Sequence, residues 1–62
     1  MKIEAGKFYW MRSKKDKIWR PTYAGTDPDN NIWLFDMNSE RELSEMDLSR
    51  YDIRHTFLDF LI

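Results

Sequence analysis

In this 62-residue chain, four places carry residue types and spacings that could do chemistry. They are a single histidine at position 55, a run of oxygen side chains at 27–31, a lysine cluster at 14–17, and a string of acids at 40–47. A general base needs a pocket and a group that orients it, and the neighbours of His55, Arg54 and Thr56, form no pattern for either. No Ser–His–Asp or paired-carboxylate arrangement is legible. The chain has no Cys, so thiol nucleophiles, Cys-containing zinc sites and disulfide staples are excluded. Asp27-Pro28-Asp29-Asn30-Asn31 opens like a calcium-binding loop, but Ile32 and Asn38 stand where such a loop needs Gly and Glu. That stretch reads as a hairpin turn. The expectation is a non-enzymatic protein with no metal and no cofactor.

The charged clusters point to binding instead. Lys14, Lys15 and Lys17 crowd one tip, with Arg12 and Arg20 at its base and Trp10 and Trp19 nearby. Basic side chains interleaved with aromatics suit single-stranded nucleic acid, with charge for phosphate and rings for bases. Against this, the pI of 5.7 is low for a dedicated nucleic-acid domain, and lysines at a hairpin tip also guard against edge pairing. Glu40, Glu42, Glu45 and Asp47 form the acidic counterpart, a charge pattern able to imitate nucleic acid toward a basic groove on another protein. Residues 1–25 carry seven basic and two acidic side chains, a balance of +5. Residues 26–62 carry three basic and nine acidic, a balance of −6. Such halves either neutralise each other across the fold or mark a charged partner.

The elements that must position these groups are strands. Sixty-two residues make one domain, spanning 1–62, with a thin stability margin. Three aromatic runs, at 7–12, 18–24 and 32–36, are separated by polar turn chemistry at 13–17 and 25–31. Pro21 cannot donate to a ladder, so the second run is expected at an edge or bulged at that point. Beyond Met37 the pattern predicts a short strand at 42–44, one helical turn at 44–48 and a strand at 51–54. A helix over 40–50 is the alternative. The apolar tail at 56–62 is expected to dock on something, in cis or across a homodimer. No stretch has the length of a membrane span and no signal peptide follows the basic start, which predicts a complete small cytoplasmic protein.

Gly6, then Trp19-Arg20-Pro21-Thr22-Tyr23, then Leu34-Phe35-Asp36-Met37-Asn38, with Leu43 and Leu48, resembles the layout of a Tudor-like barrel of the Src-homology-3 type over roughly residues 6–53. That resemblance implies a core of Tyr9, Met11, Trp19, Pro21, Tyr23, Ile32 and Leu34. It leaves Phe8, Trp10, Trp33 and Phe35 outward. Tyr9-Trp10-Met11-Arg12, Trp19-Arg20-Pro21 and Trp33 are also similar to the strands of small β-domain proteins encoded by bacteriophages and prophages. Proteins of that group often inhibit host defences or host enzymes.

The fold expected is all-β, a small Src-homology-3-like barrel or antiparallel meander of four to five strands with one short helical turn. The function expected is docking on a host protein, such as a nucleic-acid-processing complex, in the bacterial cytoplasm. The chain would inhibit or redirect that partner, as an anti-CRISPR or other anti-defence protein does. Trp10, Trp33, Phe35, Glu40, Glu42, Glu45 and Asp47 are the candidate contacts. A nucleic-acid-binding module using Arg12, Lys14, Lys15, Lys17 and Arg20 is the second reading, and a structural or dimer-forming protein the third.

Overall fold

The computed structural model describes residues 2–55. The apolar tail at 56–62, and with it the expectation that it covers a face or links two copies, lies outside the described residues. Five antiparallel strands form one sheet: β1 (Phe8–Ser13), β2 (Trp19–Thr26), β3 (Ile32–Phe35), β4 (Glu40–Glu42) and β5 (Tyr51–His55). The first four run as a meander and β5 returns to pair with β1, giving the spatial order β4-β3-β2-β1-β5. Between β4 and β5 stand two 3-10 turns, Leu43–Glu45 and Leu48–Arg50, where the sequence suggested one turn and, as the alternative, a helix over 40–50. Asp47 explains the second turn, because its carboxylate accepts the Ser49 N–H and caps the turn. Among the described residues no helix is long and apolar enough to cross a membrane.

Each hairpin is organised by an aspartate. At the first, Asp16 Oδ1 accepts the Ile18 N–H (3.1 Å) and Lys17 takes a positive φ of 58°. At the second, Asp27 Oδ1 accepts the N–H groups of Asp29 and Asn31, both at 2.9 Å, while Asn30 takes φ 67°. At the third, Asp36 Oδ1 accepts the N–H groups of Asn38 and Ser39, both at 2.8 Å. Aspartate suits these positions because its short carboxylate reaches backbone N–H groups two or three residues ahead.

Pro21 sits in a central strand rather than at an edge. It opposes Trp10, whereas β2 pairs with β3 only from Tyr23 onward. Its missing N–H therefore falls on a stretch of β2 with no β3 neighbour, and no ladder bond is lost.

In β2 the core side is small-chained where Trp19, Pro21 and Tyr23 were expected. Ile3, Tyr9, Met11, Thr22, Ala24 and Leu34 are buried, and Ile32, Leu43, Met46, Leu48, Tyr51 and Ile53 pack around them. Tyr9, Met11, Ile32 and Leu34 lie where the sequence put them. Trp19, Pro21 and Tyr23 do not. In β2 the inward parity belongs to Arg20, Thr22 and Ala24, because the register sets Tyr9 against Thr22 and Ala24 against Leu34. Tyr9 is fully buried and its hydroxyl accepts the Glu4 N–H at 2.8 Å. On this face each large side chain stands against a small one, Tyr9 against Thr22 and Leu34 against Ala24.

Candidate functional site

The register builds the other face row by row. Directly opposed residues in an antiparallel ladder share a face. One row runs Glu40, Phe35, Tyr23, Phe8, and a second Glu42, Trp33, Gly25. A third runs Pro21, Trp10, Arg54, and a fourth Trp19, Arg12, Asp52. Six aromatic side chains, all three tryptophans among them, thus lie on the side of the sheet away from the core. Tyr9 is the one buried aromatic among the described residues. Tyr23 and Phe35 are each 38% exposed, and Phe8, Trp10, Trp19 and Trp33 are half-buried.

Specific contacts hold these rings. The Phe8 and Tyr23 rings lie 4.9 Å apart in a tilted pair. Gly25 gives the neighbouring rings room: a Cβ there would stand 3.1 Å from a Phe35 ring carbon and 3.2 Å from one of Tyr23. The Trp33 indole donates from Nε1 to Asp27 Oδ2 at 2.8 Å, which ties the face to the second hairpin turn. Bonds from the Asn31 N–H and then from Trp33 hold the Asp27 carboxyl below its ordinary pKa.

At the β5 side, Arg12 and Arg54 set their guanidinium carbons 4.6 and 4.7 Å from the Trp19 ring centre. Arg12 also donates from Nε (3.0 Å) and Nη2 (2.7 Å) to Asp52 Oδ2, and that bond holds the Asp52 carboxyl below its ordinary pKa. An open depression of about 280 Å³ lies between Trp10, Trp19 and Arg54. The face therefore has an acidic border at β4, an aromatic middle and a guanidinium-rich border at β5.

The predicted site residues are divided by this geometry. Trp10, Trp33, Phe35, Glu40 and Glu42 come together on the outer face. Glu45 and Asp47 stand apart in the 3-10 segment, whose Leu43, Met46 and Leu48 pack on the core. Asp47 is engaged locally: the Ser49 hydroxyl (2.6 Å), the Ser49 N–H and Arg50 hold its carboxyl low. The basic set is also split. Arg12 is on the outer face and Lys14, Lys15 and Lys17 are exposed at the tip, while Arg20 is on the inward parity, bonded to Asp16 at 3.2 Å. His55 lies at the end of β5 with its ring 5.1 Å from that of Tyr9.

Sequence reasoning put Phe8 outward, as found, but missed Trp19, Pro21, Tyr23 and Arg54 on this face. A signal was present: within 19–24, one parity holds Trp, Pro and Tyr and the other Arg, Thr and Ala. The barrel resemblance turns the wrong one of the two parities inward. Compared with family models, with curated proteins and with solved structures, the chain finds no match.

Proposed function

We propose that this chain is a non-enzymatic binding protein that docks on a host protein and inhibits or redirects it, as its likeness to small phage proteins implied. The observation that carries this reading is the outer face, where six aromatic side chains lie off the core between acidic and guanidinium borders. Aromatic residues and arginine are enriched at the centres of protein interfaces, where large rings bury area at low entropic cost. A soluble domain rarely leaves so many rings on one side of a sheet without a use for them.

A protein partner suits this face better than single-stranded nucleic acid. Two guanidiniums already lie on the Trp19 ring, which reduces the π surface left for a base. Glu40 and Glu42 share the face and repel phosphate, and Arg20 is turned to the other side.

The test is retention of a partner on the immobilised chain from bacterial lysate, with and without nuclease treatment. The parent and the triple Lys14→Gln, Lys15→Gln, Lys17→Gln variant are expected to retain the same discrete protein. The Trp33→Ser, Phe35→Ser variant, folded by circular dichroism, is expected to lose it. Loss with the lysine variant alone, or retention of nucleic acid in place of protein, overturns the reading.

A further inference from the structure

The sheet has two ends, β4 and β5, and they differ in what they offer a second strand. An antiparallel copy centred on Arg41 of β4 would set Glu40 against Glu42 of the partner copy, a repulsion on both sides of the axis. The same operation centred on Ile53 of β5 sets Asp52 against Arg54 of the partner copy, and Arg54 against Asp52 of the partner copy. β4 is guarded against its own kind, and β5 is complementary to itself.

The backbone at β5 agrees. The Lys14 N–H donates to the Arg50 carbonyl at 3.0 Å, so that carbonyl and, by the register, the backbone groups of Asp52 and Arg54 turn toward β1. By the alternation of the ladder, the N–H and C=O of Ile53 point away from β1, to the side where no strand of the described residues pairs with β5. A groove of about 560 Å³ opens beside β5, lined by Arg12, Trp19, Asp52 and Arg54 from the outer face and by Leu48, Tyr51 and Ile53 from the other. Both parities of β5 line it, so it reaches the strand's edge as well as the outer face.

We infer that the chain forms a twofold dimer by antiparallel pairing of β5 with β5 of a second copy. The two Ile53 residues exchange backbone bonds at the axis, flanked by two Asp52–Arg54 pairs. Twofold association is the commonest closed assembly and requires this self-complementarity. An axis through the sheet keeps like faces on one side, so the two aromatic faces join across the Arg54 borders. The dimer rests on the β5 edge alone and stands or falls independently of the proposed docking role.

The experiment is sedimentation equilibrium of the full chain with charge reversals. The parent is expected to dimerise. Arg54→Glu sets acid against Asp52, and Asp52→Lys sets base against Arg54, so each variant alone should dimerise about tenfold more weakly. An equimolar mixture restores opposite charges at both flanking pairs and should recover association as a heterodimer, and circular dichroism checks that each variant is folded. A parent that stays monomeric at high micromolar concentration overturns the inference. So does dimerisation unaffected by either reversal, or failure of two folded variants to recover on mixing.

Discussion

Asp27 joins two jobs in one side chain. One carboxylate oxygen closes the second hairpin turn by accepting N–H groups from Asp29 and Asn31, and the other receives the Trp33 indole six residues on. The turn was legible in the sequence, because Asp, Pro, Asn and Asn between two apolar runs leave little else to expect. The grip on Trp33 was not, since it depends on how far the hairpin's twist carries β3 back over its own turn. We predict that Asp27→Ala frees the indole: tryptophan emission shifts to longer wavelength, and partner binding weakens before the fold is lost. Unchanged emission would mean that the Nε1 bond does not set the ring. Gly25 acts on the same rings by leaving them space. Gly25→Val is expected to displace Tyr23 and Phe35 and to weaken binding more than it lowers the melting temperature, because the atoms it meets are ring edges that can swing outward.

The strand is the scale at which the sequence misled. Periodicity placed all five strands within a few residues, and in β1 and β3 the inward parity was read correctly. In β2 the likeness to a Src-homology-3-type barrel puts Trp19, Pro21 and Tyr23 in the core, in keeping with the large area that rings bury. What decided the parity was the partner strand: fully buried Tyr9 stands against Thr22, so the small residues face the core. Mutants separate the two arrangements. Tyr9→Ala should cost about 3–5 kcal/mol and Ala24→Leu about 1–3 kcal/mol through overpacking. Trp19→Ala, on the outer face, should cost well under the Tyr9 value. Urea melts that rank Trp19 above Tyr9 would reverse the assigned faces. The acidic cluster divides at the same scale. Glu40→Gln with Glu42→Gln should slow partner association at low salt, and Glu45→Gln should not, because only the β4 pair borders the aromatic face.

Across the described residues the two halves of uneven charge meet in an ion pair, and turn chemistry engages further carboxylates. Arg12 of the basic half meets Asp52 of the acidic half. Asp16, Asp27, Asp36 and Asp47 spend their carboxylates on turns. Asp16, Asp27, Asp36, Asp47 and Asp52 titrate below the ordinary value of 3.8. For Asp36, burial pulls upward and is outweighed by the bonds from Asn38 and Ser39. A carboxyl depressed by folding stabilises the native state above its unfolded pKa, and the contribution disappears as pH falls through the lower native value. The melting temperature is therefore expected to be level above about pH 5 and to drop steadily below about pH 4. A profile flat down to pH 2 would contradict the role given to the turn carboxylates. That pattern was half-visible in the sequence, where aspartates cluster in the turns; which of them close a turn and which meet a guanidinium was set only by the fold. The outer aromatic face remains the central claim, and site-specific photocrosslinking tests it most directly. With a benzophenone side chain in place of Tyr23, the chain is predicted to capture one discrete protein from bacterial lysate. With the same probe in place of Lys15, at the hairpin tip, it should capture none. Capture from position 15 and none from position 23 would contradict it.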